Sequence, residues 1–270
     1  MIARRICASL LLMLFIISAA APWIAPHPPE QQYRESTNAP PSPSFPLGTD
    51  DLGRDRLSRL LHAGRISMLL APVAALVSVG VAALIGGLCA ATSGLLDRVF
   101  MGAADLTLSV PWLMLLLTVR ALLPLDVTPW ISLLVTFALL AVVGWAAPAR
   151  VIRASVAATL RSNYAMAARA RGAGYWRVLL KHVLPGTRPI LTAQFGSTVP
   201  VFILAEANLT VLGLGVVEPA ASWGTLLKEV GMLATTSQPL LAQYWLLAPI
   251  GLVVVSVLCW NVVFPARLTT

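Results

Sequence analysis

Six stretches of this sequence are apolar enough to lie in hydrocarbon, and a chain with that many can fold only with lipid as its main solvent. They are Ile6–Ala21, Ile66–Gly94, Leu106–Leu123, Ile131–Ala147, Ile190–Leu214 and Tyr244–Phe264. Roughly 20 helical residues cross about 30 Å of bilayer core, and the shorter runs reach that length with their flanks. Composition agrees: 58% of the residues are hydrophobic, 11% are charged, and the mean hydropathy is +0.82. Soluble domains are about half apolar and a quarter charged, and disordered chains are charge-rich and apolar-poor. The expected fold is therefore an all-α membrane protein of about six transmembrane helices.

The first run follows Arg4 and Arg5 and ends at Pro22. Its small residues Ala19–Ala21 would also suit a cleaved leader, but a place in the six-span scheme favours a retained helix. Residues 1–65 then form an N-terminal helix with an external loop, and 66–270 form a core of five further helices. Pro26–Pro46 is Pro-rich and polar and is expected as an irregular connection. Thr49–Arg65 is expected as a short amphipathic helix capped by Thr49 or Asp50. Within the second run, Ala82, Gly86, Ala90 and Gly94 recur every four residues. They are either a smooth face for a close helix crossing or a by-product of abundant Ala and Gly. Trp112, Trp130, Trp145, Trp245 and Trp260 lie near run ends, as interfacial aromatics do.

Charge gives the orientation. Of 19 Lys and Arg, eight fall between Arg150 and Arg188 with no acid among them, which leaves eleven bases against eleven acids elsewhere. With the N-terminus inside, inside segments hold 12 of the 19 bases, as the positive-inside rule prefers. The stretch from Asp50 to Arg65 runs against this, placing Arg54, Arg56, Arg59 and Arg65 outside. Asp50, Asp51 and Asp55 are expected to cap and to pair with those arginines rather than to bind a cation.

The basic segment, about 150–190, carries the chemistry. Ser162 or Asn163 could cap an Ala-rich helix that ends at Gly172 and Gly174. A second helical stretch, Tyr175–Leu184, is expected to stop at Pro185. Two short, basic helices outside the hydrocarbon need a partner surface, either a protein or anionic lipid.

Here Ala167-Ala168, then Gly172, then Leu184-Pro185 resembles the "EAA" loop of permease subunits in ABC-type importers. Further stretches are similar to the second permease type of the dipeptide/oligopeptide/nickel family. These are Leu47–Arg59, Gly64–Ser67, Gly144-Trp145 with Ala149-Arg150, Ile203–Gly215 and Ser222–Gly224. The resemblance runs in order from about residue 6 to residue 264. It implies a type I importer permease fold in the bacterial cytoplasmic membrane, with both termini cytoplasmic. The implied partners are a homologous second permease, two ATP-binding subunits and an extracytoplasmic solute-binding protein. Nothing in the resemblance implies nucleic acid, and no cofactor is expected on this chain, since ATP and Mg would sit on the ATPase partners. Coupling to those partners is implied for Ala167, Ala168, Arg169, Arg171, Gly172, Ala173, Tyr175 and Trp176. The chain departs from the family at Met166, where the loop has its naming glutamate, at Asn208, and in the ending Phe264–Thr270.

One point is independent of the resemblance. A P-loop needs Gly directly before its Lys, and Lys181 and Lys228 both follow leucine. The chain is thus not an ATPase of that kind, and the resemblance implies a non-catalytic permease subunit. Glu206, with Asn208 and Thr210, is expected either to line the pathway or to bond a neighbouring helix, because an ionisable group at membrane depth is costly. Asp105 reads as a helix-end or interfacial residue. His27, His62 and His182 are too scattered for a shared metal site, and Cys7, Cys89 and Cys259 read as small core residues. The function expected is ATP-driven import of di- or oligopeptides. Nickel or a metal chelate is the alternative cargo, and a proton-coupled secondary transporter using Glu206 is the alternative class.

Overall fold

A backbone in hydrocarbon must satisfy its own N–H and C=O groups, and helices do this within a single segment. The structure, a computed structural model, describes residues 2–92, 94–123, 127–172, 174, 177, 183–233 and 240–265. Among the described residues there is no strand, only an isolated antiparallel bridge between Thr49 and Asp55.

Helices α1 (Ile2–Ala19) and α2 (Ala21–Ile24) lead into the irregular Pro-rich segment, which holds a single 3-10 turn at Arg34–Ser36. Helix α3 (Arg56–Arg65) continues through a π-helical turn, Ile66–Leu70, into α4 (Ala71–Thr92). Next come α5 (Leu95–Ser109), α6 (Trp112–Leu122), α7 (Pro129–Val143), α8 (Ala146–Leu160) and α9 (Asn163–Ala170). The chain closes with α10 (Leu184–Val211), α11 (Trp223–Leu233), a 3-10 segment Leu240–Leu247 and α12 (Ala248–Val263).

Five stretches are long and apolar enough to span: Ile2–Ala19, Arg56–Thr92, Pro129–Leu160, Pro185–Val211 and Gln243–Val263. The sixth expected span, Leu106–Leu123, is not one helix. It belongs to the pair α5–α6, bent by 93°. Pro111 explains the break, because its ring disfavours helical backbone in the preceding residue, and Val110 is extended (φ −89°, ψ 134°). Together the two helices are long and apolar enough to count as one span. Its start is tied by Asp97 to Arg153 of α8, at the end of the molecule where α4 finishes. Its finish is tied at the other end, where Arg120 donates to Ser132 and Ser132 donates to the Gly215 carbonyl. With the bent pair taken as one span, the described residues hold six. One end gathers residues 26–65, 212–233 and 240–247, and the opposite end gathers α9.

The N-cap of α3 is neither Thr49 nor Asp50. Asp55 accepts the Leu57 and Ser58 amides. Thr49 and Asp50 are occupied elsewhere: Thr49 takes the Ala39 amide, and Asp50 takes those of Leu52 and Arg54. Pro185 also plays another part than expected, standing in the first turn of α10, where its missing N–H costs nothing. Of the aromatics at run ends, Trp130 is 73% exposed, whereas Trp112 stacks on Phe202 and Trp260 is a core residue. Asp105 pairs with Arg150 across α5 and α8 on an exposed face.

The small-residue stripe is a helix crossing. Ala82 and Gly86 are buried against α8, and a Cβ on Gly86 would stand 2.6 Å from the Ala149 carbonyl oxygen. Ala90 packs on the same cluster, while Gly94 lies past the helix as the N-cap of α5. A Cβ on the adjacent Gly87 meets nothing within 4 Å. Gly86→Val should therefore cost about 1–3 kcal/mol through overpacking, and Gly87→Val should cost clearly less. Thermal unfolding of the two purified variants checks this, and equal losses would contradict the crossing.

Candidate functional site

At the α9 end, one face of the short helix is anchored and the other is free. Ala165 is fully buried and Ala168 packs beside it on a cluster that includes Ala82, Ala149, Ile152 and Val156. Met166, Ala167 and Ala170 face outward, followed by exposed Arg171 and Gly172. Met166, at the position of the motif glutamate, is 51% exposed and makes no ion pair. Gly172 ends the helix with φ +82°, a left-handed conformation that β-branched residues rarely adopt. Of the expected coupling residues, Ala167, Ala168, Arg171 and Gly172 are thus placed, with Arg169 on the backbone of the same helix. Ala173, Tyr175 and Trp176 lie outside the described residues, as do most of the second expected helix and His182.

At the opposite end, Glu206 is fully buried on α10. Its Oε1 accepts from Ser222 Oγ at 2.6 Å and from Thr210 Oγ1 at 2.8 Å. Thr210 Oγ1 in turn takes the Val216 amide, and Ser222 and Thr225 bond each other's amides at the start of α11. The Trp223 amide donates to Ser67 in the π-turn. Glycine is required twice around this knot. A Cβ on Gly215 would fall 2.0 Å from Thr210 Oγ1, and one on Gly224 would fall 2.8 Å from the Ala207 Cα. The motif stretches Ile203–Gly215 and Ser222–Gly224 are therefore two halves of a single contact. Glu206 and Thr210, four residues apart, share a helix face. Asn208 points away and is exposed, so the three residues expected along the pathway do not line one surface.

Sequence reasoning gave Asp50 as a partner of the arginines of residues 54–59 but missed Glu218 and Glu229. Arg54 and Arg59 are 5% and 1% exposed. Asp50 Oδ2 accepts from Arg54 Nε at 2.6 Å and from Arg59 Nη1 at 2.5 Å. Arg54 and Arg59 also reach Glu218, at 2.5 and 2.9 Å, and Arg59 donates to Glu229 on α11. Burial pushes the Asp50 carboxyl up, but the Arg54 amide and the Arg59 and Arg54 guanidiniums outweigh it and hold it below its ordinary value. At Glu229 burial prevails over the Arg59 and Arg56 charges, and its carboxyl sits above the usual range. The available signal was the charge anomaly itself, since four arginines on the disfavoured side call for acids nearby. Beside the network is a cavity of about 380 Å³, lined among others by Asp51, Arg54, Thr210, Glu218 and Lys228 but not by Glu206. Among the described residues no group of His, Cys, Asp and Glu could hold a metal ion.

Glu206→Gln keeps an acceptor oxygen for Ser222 and Thr210, so the folded protein should lose well under 1 kcal/mol. Glu206→Leu removes it and leaves buried hydroxyls short of a bond, at about 1–3 kcal/mol. Comparing detergent-solubilised melting curves decides the matter, and a Gln variant as damaged as the Leu variant would show that the carboxylate charge is what counts.

The sequence matches two families. Residues 82–268 match the inner membrane component of binding-protein-dependent transport systems, and residues 5–41 match the N-terminal transmembrane domain of oligopeptide transport permease C. Among curated relatives, the di/tripeptide transport system permease protein DppC of Pseudomonas aeruginosa is 35% identical over 93% of this chain and 82% of its own length. The dipeptide transport system permease protein DppC of Bacillus subtilis is 31% identical over 82% of this chain and 67% of its own. The oligopeptide transport system permease protein OppC of the same organism is 29% identical over 94% and 80%. With five or six candidate spans, an anchored α9 and a motif-built knot at the other end, the chain belongs to the family of inner membrane components of binding-protein-dependent transport systems.

Proposed function

We propose that this chain is a permease subunit of an ATP-driven importer of di- and oligopeptides in the bacterial cytoplasmic membrane. The observation that carries this reading is the family match over residues 82–268, taken with relatives named as dipeptide, di/tripeptide and oligopeptide permeases. Nickel is not favoured by those relatives. A proton-coupled carrier is not favoured either, because the family matched is that of binding-protein-dependent transport systems.

In this reading α9 and both termini face the cytoplasm, as the distribution of basic residues prefers. The outward face of α9, with Ala167, Arg171 and Gly172, docks on one of two ATP-binding subunits, which hold ATP and Mg. Closure of those subunits moves α9. Because Ala165 and Ala168 are seated on the α4–α8 cluster, the motion is passed to the spans rather than absorbed by the loop. The Asn208 face of α10 turns toward a second permease and the peptide path between the two subunits. An extracytoplasmic solute-binding protein delivers the peptide to the end that carries Asp50 and Glu218.

The assembled complex in liposomes tests this. Dipeptide uptake should require ATP on the α9 side and should survive an uncoupler. Gly172→Val, strained at φ +82°, should cut uptake at least tenfold while ATP hydrolysis persists. Uptake that needs no ATP-binding subunits and collapses with the proton gradient would overturn the proposal.

A further inference from the structure

A second cavity, about 530 Å³, opens at the end that carries residues 26–65. It falls within the 300–1,000 Å³ usual for small-ligand pockets. Its walls are mainly apolar and include Ile66, Leu69, Leu70 and Trp130. The π-helical turn divides its side chains between two sides. Ser67 and Met68 are buried inward, Ser67 receiving the Trp223 amide, while Ile66, Leu69 and Leu70 line the cavity. The place corresponds to the edge of the hydrocarbon. Arg65 is where the charged α3 passes into the apolar α4, and Trp130 stands exposed in the first turn of α7, where interfacial aromatics sit.

The rim carries opposite charges. Arg65 and Glu30 both line the cavity and both are exposed, and among the described residues neither forms an ion pair, with the other or with a third group. His62 lies on the same rim with Nδ1 already engaged by the Ser58 carbonyl, which leaves Nε2. A cation and an anion held apart over an apolar groove match one headgroup type, a phosphate joined to an ammonium over acyl chains. We infer that this groove is a binding site for a zwitterionic aminophospholipid of the phosphatidylethanolamine class. Arg65 holds the phosphate, Glu30 holds the ammonium, and an acyl chain lies along Ile66, Leu69, Leu70 and Trp130. An anionic lipid would satisfy Arg65 but meet Glu30 with like charge.

Native mass spectrometry of the purified complex, reconstituted in equal palmitoyl-oleoyl phosphatidylethanolamine and phosphatidylglycerol, tests the site. The wild-type permease should retain phosphatidylethanolamine in preference to phosphatidylglycerol. Ala220→Trp, which fills the groove, should abolish retention of both. The exposed changes leave the packing intact: Glu30→Gln should reduce the preference about two- to fivefold, and Arg65→Gln should weaken retention of both lipids by a similar factor without lowering the preference, as befits exposed charge pairs. No retained lipid, a preference for phosphatidylglycerol, a preference unmoved by Glu30→Gln, or retention unmoved by Arg65→Gln would overturn the inference. So would a Leu69→Cys cross-link to the second permease or to the binding protein, since a protein would then occupy the groove.

Discussion

Two arginines that reach almost no solvent govern how this chain is assembled at one end. Arg54 and Arg59 stand in a region where an unpaired charge is strongly destabilising, and removing one partner of such a pair costs about 3–5 kcal/mol. Asp50 lies close in sequence, but Glu218 and Glu229 come from about 160–170 residues further on. Satisfying the arginines therefore fixes α3 and the Pro-rich segment onto α11 and the loop before it. The Glu206 knot adds a second fastening, with α11 drawn so close to α10 that Gly224 cannot carry a side chain without displacing Ala207. The two fastenings share α11 and make this end a single unit.

Helix α10 joins that unit to the opposite end. Its 28 residues extend about 42 Å at 1.5 Å per residue, from the close of the basic segment to the Glu206 knot. Pro189 and Pro200 interrupt its backbone bonding. In the proposed mechanism this helix is the direct covalent route between the ATPase-facing loop and the peptide-receiving end. The α4–α8 crossing, where Gly86 meets Ala149, is the packed route.

Much of this was legible in the sequence, because it depends on local composition. Lipid demands long apolar helices, so the number of spans follows from the runs. The ends of α9 follow from Ser162, Asn163 and Gly172. What escaped depended on distant partners or on residues with two possible meanings. Pro185 can end one helix or begin the next, and packing made it the start of α10. Thr49 and Asp50 are good caps, but the Ala39 and Arg54 amides claimed them and left Asp55 to cap α3. Pro111 inside an apolar run reads as tolerable until the helix is seen to turn by 93° at that point. Glu206, Asn208 and Thr210 are neighbours in sequence, yet helical periodicity sends Asn208 to another face. No rule of local sequence joins Arg59 to Glu229. Only the excess of arginine on the disfavoured side hinted that acids had to meet it there.

The account rests on the two ends lying on opposite faces of the membrane, with α9 inside. Single cysteines at Ser44 and Met166, both exposed, in a chain with Cys7, Cys89 and Cys259 replaced, report this directly through a membrane-impermeant maleimide. In intact spheroplasts Ser44→Cys should label at once, and Met166→Cys should label only after permeabilisation. Labelling of both from the same side, or the reverse pattern, would contradict the arrangement of six spans and the assignment of α9 to the cytoplasm.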